Sequence, residues 1–196
     1  MIINKLTGAA LIAILIAAII FNKCENNKWR KLKCGLWTNT KGDIGFKTSR
    51  VIAMEEEVET EDFYLTKFGF NENPALKDVI DTLTFRELGN TFYKDKNNIY
   101  HHYGMSDGGS FYIFDADYAT FEVLGDCYAK DKNKIYEIRD DGKPDRLDYK
   151  TFKTITGPGC FSKDKNGYYS WGSKIKDEDL NEAEIKAAIK KLDEIP

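Results

Sequence analysis

Four cysteines are the residues of this 196-residue chain whose chemistry is easiest to infer. Cys127 lies four residues before Asp131, and Cys160 lies four residues before Asp164, so the two cysteines occupy equivalent positions in two similar segments. If those two segments are neighbours in the fold, the two cysteines can form a disulfide. Otherwise they are small buried thiols. An even cysteine count fits an oxidising compartment. Cys24 follows an apolar segment, as the lipidated cysteine of a lipoprotein does.

Cys24 has two alternatives to lipidation. Phe21, Asn22 and Lys23 precede it and fit a lipobox badly, which favours an uncleaved or otherwise processed anchor. The spacing from Cys24 to Cys34 is not the Cys-x-x-Cys of a zinc site, and these two thiols can also pair with each other. Cys24 remains a candidate lipidation site because of its position after the apolar segment, although the residues before it favour an uncleaved or otherwise processed anchor.

No set of residues in the sequence predicts catalysis, a metal site or a cofactor. His101 and His102 are the two histidines of the chain, and no cysteine lies near them at a spacing suited to metal ligation. Asp107, Asp115 and Asp117 lack the alternating oxygen ligands and the bidentate glutamate of a calcium loop. The phosphate-binding glycine motifs and the Gly-x-Ser-x-Gly nucleophile motif do not occur in the sequence. We predict a protein without enzymatic activity.

An acidic run is the candidate partner-binding segment. Its six acids are Glu55, Glu56, Glu57, Glu59, Glu61 and Asp62. A block of like charges is usually a solvated strand or loop, and that interpretation is favoured here. The alternative is a docking surface that steers a basic partner toward the protein.

The net charge of −3 conceals two regions of opposite sign. Residues 1–50 contain nine basic and two acidic side chains, whereas the remaining residues contain 20 basic and 30 acidic ones. The basic region adjoins the apolar N-terminal segment, where it can face lipid headgroups. The acidic remainder lacks the clustered lysines and arginines that nucleic acid requires, so we predict no nucleic-acid partner.

The elements that would position these residues are three copies of one pattern. Each copy has an Asp-x-x-Thr-Phe segment followed by an Asp-Lys-Asn triplet, and the triplets begin at Asp95, Asp131 and Asp164. The copies span about 81–102, 117–138 and 148–172. Repetition at this period is typical of repeat architectures.

One copy predicts a short helical turn and then a β-hairpin. Asp81, Asp117 and Asp148 would accept hydrogen bonds from free backbone N–H groups, and Lys-Asp-Lys-Asn would form the hairpin turn. The aromatic face of such a unit is too large for the unit to bury alone, so the copies should stack into one core. We expect a mainly β fold of stacked hairpin repeats with short helical turns, an N-terminal apolar helix and a C-terminal amphipathic helix.

The string Tyr-Ala-Lys-Asp-Lys-Asn-Lys-Ile-Tyr at 128–136, with its relatives at 92–100 and 161–169, resembles the repeat signature of the DKNYY family. The resemblance extends over about residues 81–172. The first two copies depart from the pattern, because they end in Ile-Tyr and not in paired tyrosines. The resemblance implies a hairpin-repeat fold in a bacterial, often secreted or envelope-anchored protein, and it implies no catalytic residues.

Residues 1–23 are predicted to be a signal or membrane-anchor segment, because 17 residues from Leu6 to Asn22 carry no charge. A buried core helix is the less favoured alternative, since the segment lacks an amphipathic stripe. Basic residues after this segment favour a cytoplasmic domain by the positive-inside rule. The cysteines favour the periplasmic or surface side, and we favour that side.

The rest of the chain completes the predicted organisation. Residues 24–34 form a basic linker, and 35–196 form a single domain. Strands are predicted at 34–37, 44–47 and 62–65, a short helix at 76–83 and an amphipathic helix at about 178–194. Asp177 or Asp179 would cap this last helix, which would cover an open end of the repeats.

These features predict a membrane-anchored, non-catalytic repeat module of the bacterial cell envelope whose partner is unknown. The alternative is an immunity-type protein that neutralises a cognate toxin, motivated by the acidic body and the acidic run. An enzyme acting on cell-wall polymers is a third hypothesis, for which no residue set is found.

Overall fold

The computed structural model describes residues 28–54, 57–69, 74–138 and 147–195. It is mainly β, with four antiparallel sheets of three or four strands and few helices, which agrees with the predicted class. The chain divides into two compact units, one of residues up to 80 with Gly104–Tyr112 and the other of Asp81–Tyr103 with residues from 113 onward. The first unit has a sheet and an apolar core of its own.

The first unit is a four-stranded antiparallel sheet with one turn of helix. Its elements are β1 (Arg30–Lys33), β2 (Leu36–Thr38), β3 (Ile44–Met54), β4 (Val58–Leu65) and α1 (Leu76–Val79), with strand order β1–β2–β3–β4. Leu36, Phe46, Phe68, Leu76 and Phe111 are buried and form its apolar centre. The rings of Phe46 and Phe111 stack with their centroids 4.5 Å apart.

The first unit differs from prediction in three elements. The predicted basic linker contains β1, and the strand predicted at 34–37 begins with a turn in which Cys34 and Gly35 have positive φ. A side chain at Gly35 would meet the Phe46 ring at 2.7 Å, so the turn requires glycine. The helix predicted at 76–83 is limited to α1, because the chain turns at the start of the first copy.

The second unit contains the three copies. Its strands are β5 (Arg86–Gly89), β6 (Phe92–Lys94) and β7 (Ile99–Tyr103) in copy 1, β9 (Glu122–Leu124), β10 (Tyr128–Lys130) and β11 (Ile135–Glu137) in copy 2, and β12 (Lys153–Thr154), β13 (Phe161–Asp164), β14 (Gly167–Ser170) and β15 (Ser173–Lys174) in copy 3. β8 (Ser110–Ile113) lies where the chain returns to this unit. The predicted hairpins β6–β7, β10–β11 and β13–β14 are confirmed.

Each copy also has a strand that the sequence did not predict. β5, β9 and β12 pair antiparallel with the first strand of the hairpin, so each copy is a meander of at least three strands. The Asp-x-x-Thr segment before this strand is a turn, in which the Phe85 N–H donates to the Asp81 carbonyl at 3.0 Å.

Two apolar clusters join residues of successive copies. Phe92 and Ile99 of copy 1 are buried with Ala129 and Tyr136 of copy 2. A second cluster contains Cys127, Tyr128 and Ile135 of copy 2 with Cys160 of copy 3. Residues of successive copies therefore lie in common apolar clusters.

The chain ends in a 3-10 turn (Asp179–Asn181) and helix α2 (Ala183–Asp193). Ala188 and Leu192 of α2 are buried in one cluster with Phe161 of copy 3. The helix starts later than predicted, after Glu182, and no side chain caps it. The acids expected to cap it lie one turn earlier, in the segment of the 3-10 turn.

The predicted anchor, residues 1–23, and Cys24 lie outside the described residues. Over the part of the chain that the structure describes, no helix is both long enough and apolar enough to cross a membrane.

Candidate functional site

Each copy contains a set of hydrogen bonds around the hairpin turn, which we call the clasp. It consists of the first Asp, the Thr, the triplet Asp and Lys, and the last Tyr, which in copy 2 are Asp117, Thr120, Asp131, Lys132 and Tyr136. Asp131 is buried, and its Oδ2 accepts from the Asp117 N–H and from the Tyr136 hydroxyl, each at 2.8 Å. Its carboxylate ties the start of the copy to the hairpin.

The other carboxylate oxygen of Asp131 shapes the hairpin turn itself. Asp131 Oδ1 accepts from the N–H groups of Asn133 at 2.7 Å and Lys134 at 3.0 Å. These bonds to residues two and three positions ahead are the local bonds by which Asp stabilises a turn. The predicted turn chemistry of the triplet is therefore present in the structure.

Asp117 and Thr120 form the second half of the clasp. Asp117 Oδ1 accepts from the Thr120 N–H at 3.1 Å and from the Thr120 hydroxyl at 2.7 Å. Thr120 Oγ1 in turn accepts from the Lys132 N–H at 2.9 Å, while Lys132 Nζ lies 2.7 Å from Asp117 Oδ2. The lysine of the triplet is thus an ion-pair partner of the first Asp.

The same clasp occurs in copies 1 and 3. The first Asp N–H donates to the triplet Asp at 2.8 Å in copy 1 and 2.6 Å in copy 3. The Lys–Asp ion pair is 2.7 Å long in both. The residues concerned are Asp81, Thr84, Asp95, Lys96 and Tyr100 in copy 1, and Asp148, Thr151, Asp164, Lys165 and Tyr169 in copy 3. The repeated motif therefore serves to hold each copy together.

Several ionisable groups of the clasp have shifted pKa values. Burial opposes the charge of Asp131, but hydrogen bonds from Asp117, Asn133, Tyr136 and Lys134 outweigh it and lower the pKa of Asp131 from 3.8 to about 2. The Lys96 ammonium and the bonds from Thr84 lower the pKa of Asp81 to about 2. Burial and the neighbouring carboxylate raise the pKa of Tyr136.

Tyrosines that follow the first Asp link successive copies. The Tyr118 hydroxyl donates to the Asp95 carbonyl of copy 1 at 2.6 Å, and the Tyr149 hydroxyl donates to the Asp131 carbonyl of copy 2 at 2.6 Å. Copy 1, which has no copy before it, has Thr82 at this position. Sequence reasoning missed these links, although the Asp-Tyr pair in copies 2 and 3 was a usable signal.

The turns at the opposite end of each meander also meet. Asn90 Nδ2 of copy 1 donates to the Gly125 carbonyl of copy 2, and the Gly157 N–H of copy 3 donates to Asp126 Oδ2 at 2.6 Å. Gly125 has φ of 53°, and a Cβ there would lie 2.9 Å from the Ile155 carbonyl oxygen. Glycine permits both this backbone conformation and this close approach.

Cys127 and Cys160 form a disulfide in the structure, with their Cα atoms 5.4 Å apart. The bond joins copy 2 to copy 3, so the structure has the disulfide alternative and not the alternative of two buried thiols. The fully buried Tyr128 lies beside it and donates its hydroxyl to the Cys160 carbonyl at 3.0 Å. Burial raises the pKa of Tyr128, which keeps this hydroxyl protonated. Cys34 lies in the turn between β1 and β2 and is a free cysteine.

The described acids of the predicted partner-binding run are only partly available to a partner. Glu57 and Glu59 are exposed, whereas Glu55 and Glu56 lie outside the described residues. On β4, Glu61 pairs with Arg50 and Asp62 with Lys47, the latter at 2.7 Å. These ion pairs join β4 to β3.

The contacts of His101 are those of a residue in the protein interior. It is buried, its ring lies 4.4 Å from that of Phe92, and its Nε2 lies 3.0 Å from Thr91 Oγ1. Burial, with a smaller contribution from His102, lowers the pKa of His101 from 6.5 to about 4. Asp107 Oδ1 accepts from the Gly109 N–H at 2.9 Å, in a loop of the other unit.

The chemistry of these groups is that of structural support. The lowered pKa values of Asp81, Asp117, Asp131 and Asp148 keep these carboxyls charged near neutral pH, and the raised pKa values of Tyr100, Tyr128 and Tyr136 keep these hydroxyls neutral, so neither set is poised to transfer a proton. Among the described residues, no group of histidine, cysteine, aspartate and glutamate is arranged to hold a metal ion. Comparisons of the chain with family models, curated proteins and solved structures found no match in any of the three.

Proposed function

We propose that this protein is a membrane-anchored, non-catalytic repeat module of the bacterial cell envelope that binds a partner. The disulfide between Cys127 and Cys160 is the observation that carries the proposal. Structural disulfides persist in secreted and periplasmic proteins and are rare in the cytosol. A repeat module joined in this way fits the envelope, which is also what the DKNYY resemblance implies.

The binding module in this proposal is a stack of three copies in chain order. Each junction combines an apolar cluster with a tyrosine-to-carbonyl hydrogen bond. Helix α2 covers copy 3, because Leu192 and Ala188 are buried against Phe161. An open stack of meanders presents loops and edges as binding surface while its interior supplies stability.

The compartment is tested in bacterial cells that express the full chain. Membranes are separated from soluble protein, and free thiols in intact cells are blocked with a mass-adding maleimide before lysis. In a Cys24→Ser/Cys34→Ser variant, only Cys127 and Cys160 can react. We expect the wild-type chain in the membrane fraction and no mass shift for the variant until it is unfolded and reduced.

The matched control for thiol chemistry is the chain that also carries Cys127→Ser and Cys160→Ser, which should show no shift under any condition. A wild-type chain found wholly in the soluble fraction would overturn the anchoring. Thiols at 127 and 160 that remain reduced in growing cells would overturn the oxidising compartment.

The alternative proposal is an immunity-type protein for a basic toxin. The exposed Glu57 and Glu59 favour it, whereas Glu61 and Asp62 already have partners within the sheet. A toxin gene beside this gene is expected under this alternative. Co-purification of its product should then fail with Glu57→Lys/Glu59→Lys and persist with Lys67→Gln, and a neighbourhood without a toxin gene counts against it.

A further inference from the structure

Each copy has a cross-strand pair at the same place, between its first strand and the residue before the triplet Asp. The pairs are Arg86–Lys94 in copy 1, Glu122–Lys130 in copy 2 and Lys153–Lys163 in copy 3. Five of these six side chains are basic, and they differ in how their charge is balanced.

In copies 2 and 3 the structure supplies the balancing groups. Glu122 Oε2 lies 3.4 Å from Lys130 Nζ, so this pair neutralises itself. In copy 3, Asp193 of α2 accepts from Lys163 Nζ at 2.8 Å and from the Tyr168 hydroxyl. Lys153 Nζ donates to the Ile195 carbonyl at 2.9 Å. In copy 3, therefore, Lys163 holds a carboxylate from another element, whereas Lys153 binds a backbone carbonyl.

Copy 1 keeps two positive charges without an acid. Neither Arg86 nor Lys94 forms an ion pair within the described part of the chain. Lys94 Nζ lies 3.9 Å from the centre of the Tyr118 ring, and burial together with the Arg86 charge lowers the pKa of Lys94. Arg86 is exposed, as is part of the Tyr118 ring.

We propose that Arg86 and Lys94, beside the Tyr118 ring, bind a carboxylate presented by an acidic segment of a partner protein. In copy 3, Lys163 at the position equivalent to Lys94 holds the Asp193 carboxylate together with the Tyr168 hydroxyl. The guanidinium of Arg86 has the planar fork that matches a carboxylate. The site deepens the proposed function and rests on it, because it names the chemistry of the partner of the binding module.

The test uses the purified full chain in neutral detergent at low salt, with a short fluorescent poly-L-glutamate peptide as the probe. Fluorescence anisotropy measures binding, and trace acetylation followed by mass spectrometry reports the reactivity of each lysine. We expect the peptide to bind and to protect Lys94 from acetylation. Arg86→Glu recreates the self-neutralised pair of copy 2 and should weaken binding about tenfold or more.

The reciprocal change supplies a gain of function. Glu122→Arg gives copy 2 the composition of copy 1 and should add a second site, seen as peptide-dependent protection of Lys130. The matched control, Lys130→Gln, should bind the peptide as the wild type does. Retained circular dichroism and an intact disulfide show that each variant is folded.

The proposal is overturned if Arg86→Glu binds poly-L-glutamate as tightly as the wild type, because the probe would then sit on other basic residues. It is also overturned if Lys94 reactivity does not respond to the peptide. Binding that depends on Arg86 to phosphatidylglycerol vesicles, with none to the peptide, would assign the site to lipid instead. These outcomes are independent of the fractionation and thiol results, which test the compartment alone.

Discussion

An aspartate organises each hairpin turn, and it is buried in copies 1 and 2 and half-buried in copy 3. Asp131 is 1% exposed and remains charged, which is tolerated because both oxygens accept hydrogen bonds. The donors come from the turn, from the start of the copy and from a tyrosine on the second strand. One carboxylate therefore fixes three segments at once, and its loss should affect the whole copy.

Asp131→Asn is expected to destabilise the protein by about 2 to 3 kcal/mol. The amide keeps the shape of the carboxylate, but it removes the charge and turns an NH2 group toward existing donors. Urea unfolding followed by circular dichroism measures the change. Asn133→Ala is the matched control in the same turn, because only its backbone N–H is used, and it should cost under about 0.5 kcal/mol. Equal losses for both variants would contradict the role of Asp131.

The low pKa of Asp131 predicts acid sensitivity in a defined range. The unfolded carboxyl takes up a proton near pH 3.8, whereas the folded one does so near pH 2, so the unfolded state binds more protons between these values. The stability due to this group is complete above about pH 4 and disappears as the pH falls toward about 2. The difference in urea midpoint between wild type and Asp131→Asn should shrink over that range. Parallel curves would show that the carboxylate is not the titrating group.

The burial of His101 predicts a second loss of stability, at a higher pH than the loss due to Asp131. The unfolded imidazole binds a proton near pH 6.5, while the buried one does so near pH 4, so stability due to its burial falls as the pH drops between these values. His101→Phe removes this proton uptake and keeps an aromatic ring beside Phe92. The variant should lose less stability than the wild type from pH 6.5 to 4, and an unchanged slope in that range would refute the assignment.

Residue-level rules predicted part of the clasp. Asp and Asn in the triplet indicated a turn because their bonds are local, with partners two or three residues ahead. The ion pair of Lys132 with Asp117 was missed, because it joins side chains 15 positions apart whose proximity depends on the folded meander. In the sequence alone, a lysine at a hairpin turn is equally consistent with a solvated side chain that forms no ion pair.

At the level of elements, the hairpins were predictable and the strand before each was not. β6–β7 and its counterparts have aromatic strands and a strong turn signal between them. β12 has only two residues and β9 three, which is too short for an alternating pattern to be recognised. Their pairing is decided by the tertiary contacts of the copies.

The contribution of the hydrogen bond between Tyr149 and the preceding copy to the stability of the protein can be measured. Tyr149→Phe removes the bond to the Asp131 carbonyl while the ring remains, and we expect a loss of about 1 kcal/mol. Tyr103→Phe is the control, because this tyrosine is exposed at the end of β7 and should tolerate the change. Both are compared by urea unfolding at neutral pH. A loss for Tyr103→Phe equal to that for Tyr149→Phe would argue against a junction role.

At the scale of the whole molecule, the repeats make up the second unit, whereas the first unit contains none of them. The copies were visible in the sequence because the triplet recurs at intervals of 36 and 33 residues. The first unit has no such recurrence, and its core contains Phe111, which lies between copies 1 and 2 in sequence. The assignment of a segment between two repeats to the first unit cannot be predicted from local sequence patterns.

The disulfide should contribute strongly to the stability of the second unit. It closes a loop between positions 33 residues apart, which corresponds to about 3 to 4 kcal/mol in the chain-entropy treatment. Reduction by dithiothreitol should lower the urea midpoint of the wild type. The Cys127→Ser/Cys160→Ser variant should start at the lower midpoint and not respond to reductant. A wild-type midpoint that is insensitive to reduction would contradict this contribution.

The clasp has a consequence for the order in which the protein is made. Its hydrogen bonds join residues no more than 14 positions apart in copies 1 and 2, and 16 in copy 3. Each copy can therefore close using only its own residues, before the next has emerged from the ribosome or a translocation channel. The tyrosine that bonds to a finished turn arrives with the following copy. Synthesis from the N-terminus would thus add completed copies one at a time, with α2 last.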